Sequence, residues 1–274
     1  MAVKLILTAM VALIAAAPAT PAPQPPPRRI VATGLCADQL VLRLADRTQI
    51  AAVSAYAADP ALSAVAARAR GLPRLQSSAE ALLVLDPDLI VAIPPVPPGM
   101  LGALDRRRYR LVEAADATGY TGIVANVRTV AAAVGHPERA RVLVAAMDAR
   151  LAALPRAPGR GRVAAYYQRR GYLTGTGTLV DELMRRAGLV NLATRLGKPA
   201  LAQLTLEELV AARPDFLIVE SDSAGVIDQG TEMLHHPALR DIPRLWLPQA
   251  WTVCGAPDYV RAAESLARQL SRRR

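Results

Sequence analysis

Two stretches of the chain carry the same pattern, Glu-Ala-Leu-Leu-Val-Leu-Asp-Pro-Asp-Leu-Ile-Val at residues 80–91 and Glu-Glu-Leu-Val-Ala-Ala-Arg-Pro-Asp-Phe-Leu-Ile at residues 207–218. Each predicts a short helix, a turn at Pro-Asp and a buried strand with a continuous apolar run. Pro87 and Pro214 lie 127 residues apart, and the same offset aligns the two opening glutamates. We interpret the stretches as equivalent parts of two repeated halves.

The sequence outside these stretches extends the repeat. Residues 29–32 and 162–165 are apolar and each opens a half as a strand, followed by a helix over 37–45 and 178–187 respectively. Alternating strands and helices indicate a parallel sheet with helices on both faces. The predicted fold class is therefore α/β, with two Rossmann-like lobes that each contain a mainly parallel sheet flanked by helices.

A helical pattern lies between the two halves. Apolar residues recur at spacings of three and four from Pro137 to Leu154, and Pro155 ends the pattern. A helix of this length would span about 27 Å. We therefore predict one long rigid helix that joins the lobes.

The chain is predicted to have five parts. They are a signal peptide at 1–19, a proline-rich tether at 20–28, an N-terminal lobe at 29–118, a connecting helical segment at 119–159 and a C-terminal lobe at 160–274. Lys4, the apolar run 5–17, and the small residues Ala17 and Ala19 favour a cleaved signal. The run is too short to span a membrane, so we expect a periplasmic protein without a membrane span after cleavage.

Composition excludes several classes of function. Of the 274 residues, 52% are apolar and 20% charged, which is typical of a globular protein. The net charge of +10 comes from dispersed arginines, and only 4% of residues are aromatic, so we expect no nucleic-acid partner. Because no nucleophile elbow or His-Glu-x-x-His motif is present, we predict no enzymatic activity.

Four stretches of sequence resemble one family. They are residues 29–40, the segment from Val53 to Pro60, residues 80–91 and residues 171–183. They resemble the substrate-binding proteins of ABC importers for iron-siderophore complexes, haem and cobalamin, which carry the Fe/B12 periplasmic-binding domain. The resemblance covers residues 29–270 and implies that a ligand binds in the cleft between the lobes, where the carboxyl ends of the strands face each other.

The resemblance implies that the chain is an exported solute-binding protein that delivers a metal chelate to an ABC permease. We rank a ferric siderophore above a corrinoid, and haem third. No cofactor is expected, because any iron or cobalt belongs to the ligand, and a monomer is expected. Two alternatives remain open at this point: an exported α/β hydrolase-type enzyme, and a haem-binding relay protein without a permease.

Glu80 and Glu207 are the predicted permease contacts. The repeat places one carboxylate near the tip of each lobe, and glutamates at these positions in the family dock on arginines of the permease. The alternative is that each merely occupies the first turn of a helix, where a carboxylate interacts favourably with the helix dipole.

Four aromatic residues are predicted ligand contacts, because the resemblance places them where strands end at the cleft: Tyr56, Tyr166, Tyr167 and Trp251. We expect a few arginines beside them to pair with an anionic chelate. Each ring could instead belong to the core.

Cys36 and Cys254 are included in the predicted ligand site, because the family fold brings both to the cleft from opposite lobes. Three interpretations stay open: buried apolar thiols, a disulfide across the cleft, or a thiolate that contacts a metal-containing ligand. The distance between the two Cα atoms decides among them.

Overall fold

The computed structural model of the chain describes residues 25–273 except 77, 97, 98 and 103. The predicted signal peptide at 1–19 and the first part of the predicted tether lie outside the described residues. None of the described helices has both the length and the apolar character needed to cross a membrane.

A five-stranded parallel sheet forms the N-terminal lobe, with the strands in the order β3-β2-β1-β4-β5. Its elements are β1 (Ile30–Ala32), α1 (Leu35–Leu44), β2 (Ile50–Ser54), α2 (Ala66–Ala69), β3 (Arg74–Leu75), α3 (Ala79–Val84), β4 (Leu89–Ala92) and β5 (Leu111–Glu113). Every residue of the central strands β1 and β4 is buried, as expected for a parallel sheet covered on both faces.

A four-stranded parallel sheet forms the C-terminal lobe, in the order β11-β10-β6-β8, and β7 pairs with β9 in a separate antiparallel ribbon. The elements are β6 (Val163–Tyr166), β7 (Tyr172–Thr174), α6 (Leu179–Arg186), β8 (Val190–Asn191), α7 (Leu192–Arg195), β9 (Leu201–Gln203), α8 (Leu206–Ala212), β10 (Phe216–Glu220), β11 (Arg244–Leu247) and α9 (Tyr259–Ser271). The predicted α/β fold with two parallel-sheet lobes is confirmed.

The connecting segment contains the predicted helix, α5 (Pro137–Ala152), which begins at the expected proline. A further helix, α4 (Tyr120–Ala133), precedes it and was not foreseen. Gly135 lies between them with a φ of 90°, a conformation that favours glycine. Helix α4 packs on α1 of the N-terminal lobe and α5 on α9 of the C-terminal lobe, so the pair bridges the two lobes.

The internal repeat extends to the ends of equivalent helices. Ser78 caps α3 and Thr205 caps α8, each by accepting a hydrogen bond from the backbone NH three residues later. In both cases the backbone after the helix turns through a left-handed residue, Asp86 at φ 41° and Arg213 at φ 46°. The matching geometry supports the interpretation of 80–91 and 207–218 as equivalent.

The aspartates of the two Pro-Asp turns hold equivalent strands together. Asp88 accepts hydrogen bonds from the backbone NH groups of Arg28 and Arg29, directly before β1. Asp215 accepts one from the backbone NH of Val163 at the start of β6, at 2.7 Å. Each turn therefore fixes the register between the two central strands of its lobe.

One hydrophobic cluster continues from lobe to lobe. It includes Leu40 of α1, Val127 of α4, Met147 of α5 and Leu266 of α9, all with less than 3% of their surface exposed. Because these side chains are close-packed, relative movement of the lobes would disrupt a shared core. The arrangement favours a cleft of nearly fixed width.

Candidate functional site

Strands of both sheets end at the cleft between the lobes. Thr33 follows β1 and Ser54 ends β2 in the N-terminal lobe, while Tyr166 ends β6 and Glu220 ends β10 in the C-terminal lobe. All four residues line one of two neighbouring cavities. Ligands of open α/β sheets bind at this edge, which makes the cleft the candidate site.

The first cavity, which we call the apolar cavity, has a volume of about 460 Å³ and belongs mostly to the N-terminal lobe. It is lined by Thr33, Gly34, Leu35, Cys36, Ser54, Ala55, Tyr56, Leu62, Pro95, Val96, Val253 and Cys254. Tyr56 is well exposed, at 58%, so its ring is accessible to a ligand, and its role as a ligand contact stays a prediction. An exposed ring beside aliphatic side chains suits a flat apolar surface.

The second cavity, which we call the polar cavity, has a volume of about 300 Å³ and belongs mostly to the C-terminal lobe. It is lined by Asp116, Ala117, Thr118, Tyr166, Gln168, Thr174, Thr178, Leu179, Val180, Glu220, Gln249, Thr252, Val253 and Gly255. Asp116 to Thr118 come from the segment that enters α4, so both lobes contribute to this cavity as well.

Residues 252–255 form a partition loop between the two cavities. Val253 lines both, Cys254 lines the apolar cavity, and Gly255 lines the polar one. A Cβ atom at Gly255 would lie 2.5 Å from the carbonyl oxygen of Ala117, so only glycine permits this approach. The two cavities are therefore adjacent compartments of one cleft.

A disulfide between Cys36 and Cys254 fastens the partition loop to α1 across the cleft. The two Cα atoms lie 5.3 Å apart, within the usual range for a disulfide. Of the three interpretations left open by the sequence, the structure therefore selects the disulfide and overturns the free thiols and the thiolate contact. The bonded sulfurs remain part of the wall of the apolar cavity.

Tyr166 lies at the base of the polar cavity, almost fully buried. Its hydroxyl lies 3.2 Å from the Thr252 hydroxyl, with which it hydrogen-bonds. Burial, and then the nearby charge of Glu220, raise the pKa of Tyr166 above its ordinary value, so the phenol stays protonated.

Tyr167 does not face the cleft, and its prediction as a ligand contact is corrected. The side chain has 0% exposure and packs in a separate cluster within the C-terminal lobe. Its hydroxyl donates a hydrogen bond to the carbonyl oxygen of Leu204 at 3.0 Å. Successive side chains of an extended chain point to opposite faces, so Tyr166 and Tyr167 cannot both reach the cavity.

Trp251 lines neither of the two cavities, so the structure does not bring it together with Tyr56 and Tyr166. The half-buried indole packs against the shared core, and the guanidinium of Arg261 lies over the ring, 4.6 Å from its centre. A cation over an aromatic face is an attractive contact. The residue directly precedes the partition loop in the chain and packs against the shared core.

A chain of hydrogen bonds runs through the polar cavity and was not foreseen from the sequence. The Thr174 hydroxyl donates to the Gln168 side-chain oxygen at 3.1 Å, and the Gln168 amide donates to the Glu220 carboxylate at 2.9 Å. Burial raises the pKa of Glu220, while the bond from Gln168 opposes that rise. The chain holds a buried carboxylate at the cavity wall.

The expected cleft arginines are wrong for the described residues, because no Arg or Lys lines either cavity. Arg169, which follows Gln168, pairs with Asp228 at 2.7 Å. The charges that do line the polar cavity are the carboxylates of Asp116 and Glu220. The charged groups in the lining of the polar cavity are therefore acidic, while the lining of the apolar cavity is uncharged.

All three histidines of the chain lie away from the two cavities. His136 contacts Gln49 and Asp46, and the His235 ring bonds the carbonyl oxygen of Val226. Among the described residues, no three His, Cys, Asp or Glu side chains are grouped as metal ligands would be.

Glu80 and Glu207 lie outside the cleft, each exposed in the first turn of its helix, α3 and α8 respectively. Hydrogen bonds from its own backbone NH and from the Ser78 hydroxyl lower the pKa of Glu80, so this carboxylate is ionised at neutral pH. The two carboxylates occupy equivalent positions of the repeat and are free to meet a partner.

Asp38 is a fully buried carboxyl group behind the apolar cavity. It accepts hydrogen bonds from the backbone NH of Ser54 at 3.0 Å and from the Ser54 hydroxyl at 2.5 Å. Burial raises the pKa of Asp38 to about 7, although both bonds from Ser54 oppose the rise.

We expect Asp38→Asn to remove a pH dependence of folding. The unfolded carboxyl has a pKa near 3.8 and the folded one near 7, so the folded state binds more protons between these values and stability falls as pH rises through that window. In denaturant unfolding at pH 5, 6, 7 and 8, the free energy of unfolding of the variant should rise relative to that of the wild type as pH rises. Asp241→Asn, an exposed control, should show the same pH dependence of unfolding as the wild type. The same pH dependence in Asp38→Asn would refute the raised pKa of Asp38.

The sequence matches the family described as periplasmic binding protein over residues 30–243. The curated "Cobalamin-binding protein" of Halobacterium salinarum is 28% identical over 219 residues, which cover 77% of this chain and 58% of that protein. The match thus spans less than two thirds of the length of this relative.

Two solved structures share the fold. The apo form of the periplasmic heme-binding protein RhuT from Roseiflexus sp. RS-1 has a TM-score of 0.72 at 24% identity, covering 89% of this chain and 98% of that one. The periplasmic vitamin B12 binding protein BtuF of Vibrio cholerae has a TM-score of 0.68 at 18% identity, covering 89% and 97%. At these identities the likeness extends to the fold alone.

Proposed function

The chain belongs to the periplasmic binding protein family, and from this premise we propose that it captures a metal chelate in the cleft between its lobes and delivers it to an ABC permease. The observation that carries the proposal is the pair of adjoining cavities at the carboxyl ends of both parallel sheets. One cavity offers an apolar surface and the other offers hydrogen-bonding groups. A large ligand with an apolar face and a polar edge fits both.

For the ligand, a corrinoid is favoured over a ferric siderophore, and haem comes third. The curated relative is named for cobalamin binding, which supports the corrinoid. The described cavity linings offer no Arg or Lys to pair with the two carboxylates of haem. This order places the corrinoid above the siderophore, unlike the order drawn from the sequence.

Delivery to the permease is assigned to Glu80 and Glu207. Both are exposed, both occupy the first turn of equivalent helices, and neither lines a cavity. One carboxylate on each lobe would engage one basic site on each half of a permease. Such rim charges steer the encounter and fix its register.

Export to the periplasm, with cleavage after residue 19 and a tether at 20–28, remains part of the proposal. A disulfide across the cleft supports it, because such bonds persist in oxidising compartments. The boundaries of the lobes at 29–118 and 160–274, with the connecting segment at 119–159, are kept as proposed. We also keep the monomer as the functional unit.

Titration of intrinsic tryptophan fluorescence with cyanocobalamin, haemin and ferrioxamine B tests the proposal. A bound chelate that absorbs the emission of tryptophan quenches Trp246 and Trp251 by energy transfer without contacting either residue. We expect at least one to bind with a Kd below about 10 μM, roughly −7 kcal/mol. If none does, the metal-chelate proposal is wrong.

Tyr56→Ala should weaken binding of that chelate by about tenfold or more, because removal of one aromatic contact in a binding site costs about 1–2 kcal/mol. Tyr56 is exposed, so the substitution should leave the fold intact. Tyr172→Ala is the matched control, since Tyr172 is also partly exposed but lines neither cavity. Equal affinity of Tyr56→Ala and the control would remove Tyr56 from the site.

A further inference from the structure

The polar cavity has a composition that discriminates between ligands by charge. Asp116 contributes a carboxylate from the side of the N-terminal lobe, and Glu220 contributes one from the end of β10. In their ionised form these carboxyl groups only accept hydrogen bonds, whereas the hydroxyls that share the lining can accept or donate. The cavity therefore has more capacity to accept hydrogen bonds than to donate them.

The Glu220 carboxylate is held in place by its neighbours. Only 6% of the residue is exposed, and the Gln168 amide donates to it at 2.9 Å. The bond from Thr174 to the Gln168 oxygen fixes the amide so that its NH₂ group faces the carboxylate. A ligand group that enters this cavity thus meets a preorganised acceptor.

The basic residue next along the chain is Arg169, whose charge opposes the rise that burial causes in the pKa of Glu220 and so favours its ionised form. The Arg169 guanidinium itself pairs with Asp228 at 2.7 Å and lines neither cavity. Asp222 adds a further carboxylate near Glu220, accepting the backbone NH of Gln249. An anionic group placed in the polar cavity would lose its hydration and face the carboxylates of Asp116 and Glu220 with no cation in the lining to pair with.

We propose that Glu220 makes the cleft selective for chelates whose periphery carries hydrogen-bond donors, such as primary amides or an ammonium group, and that it rejects chelates with a carboxylate at that edge. This inference rests on the proposed function and specifies the ligand class of the same site. Amide-bearing corrinoids and ammonium-bearing hydroxamate siderophores both meet the requirement. Separate probes distinguish a corrinoid ligand from a siderophore ligand.

The first set of probes is cyanocobalamin and its b-, d- and e-monocarboxylic acids, each of which has a carboxylate in place of one peripheral amide. The second is ferrioxamine B, which has a free ammonium group, and its N-succinyl derivative, which has a carboxylate instead. In the series that binds, we expect a carboxylate form to bind at least about tenfold more weakly than its donor-bearing parent, a difference of about 1.4 kcal/mol. The series that binds shows whether the ligand is a corrinoid or a siderophore.

Glu220→Gln is the decisive variant, because it keeps the shape and the bond with Gln168 but removes the charge. In this variant we expect the affinities of the parent chelate and its carboxylate form to differ by no more than about threefold, chiefly because the carboxylate form binds more tightly. Glu232→Gln, an exposed substitution in the same lobe that lines neither cavity, should retain the wild-type preference. Circular dichroism checks that each variant is folded.

The possible failures are separable. If a parent chelate and its carboxylate forms bind the wild type within twofold of one another, or if Glu220→Gln leaves the preference unchanged, the charge selection is wrong while the proposed function stands. If no parent chelate binds, the proposed function itself is overturned, and this inference with it.

Discussion

Reversing the charge of both docking residues, Glu80→Arg with Glu207→Arg, is expected to reduce uptake of the chelate to below about 1% of the wild-type rate. Placing arginines opposite the basic sites proposed on the permease costs several kcal/mol, since like charges would meet in the interface. Chelate affinity should stay within twofold of the wild type, because neither residue lines a cavity. The measurement is uptake into proteoliposomes that contain the permease, together with a fluorescence titration of each variant.

Two further variants keep this test specific to docking. Glu232→Arg makes an equal change at an exposed site of the C-terminal lobe and should transport normally. Glu80→Gln with Glu207→Gln removes the charges without adding repulsion and should give an intermediate rate. Normal uptake by the double arginine variant would remove both residues from the interface.

The fold could be predicted from the sequence because its signals are local. The Pro-Asp turns and the apolar runs that follow them recur in both halves, and the structure shows equivalent helices capped by Ser78 and Thr205. Helix α4 was missed although Ile123, Val127 and Val130 recur at helical spacing and are buried, because Gly122 and Asn126 weaken the helical pattern.

The site could be predicted only in part, and Tyr166 and Tyr167 show why. The strand β6 is buried on both faces, so it has no alternation of polar and apolar residues to reveal which tyrosine points to the cleft. For Trp251, the decisive partner is Arg261, ten positions later in the chain, which no local pattern indicates. The positions of these side chains depend on burial and on contacts between distant segments of the chain.

The polar cavity was overlooked although the sequence held a signal for it. Glu220 ends the otherwise apolar run of β10, and Gln168 follows β6 closely. A polar residue at the carboxyl end of a buried parallel strand lies at the edge where ligands bind. The sequence could therefore have nominated both residues, but their hydrogen bond depends on the pairing of β6 with β10.

Replacing both cysteines, Cys36→Ala with Cys254→Ala, should lower the free energy of unfolding by about 2–5 kcal/mol. The bond joins residues 218 positions apart, and a cross-link across so long a loop removes much conformational entropy from the unfolded chain. Denaturant unfolding under oxidising conditions measures the loss. The reduced wild type should match the double variant, and the variant itself should not respond to reductant.

The same variant tests how far the disulfide holds the cleft in its binding geometry. The bond fixes the partition loop that lines both cavities, while the shared core and the ion pair between Arg43 and Asp258 connect the lobes independently of it. The lobes should thus stay in place while the loop loosens, and a loosened wall must be ordered again on binding, which costs affinity. We expect chelate affinity to fall about tenfold in the double variant at a temperature where it is fully folded. Unchanged affinity despite reduced stability would show that the core alone sets the cleft.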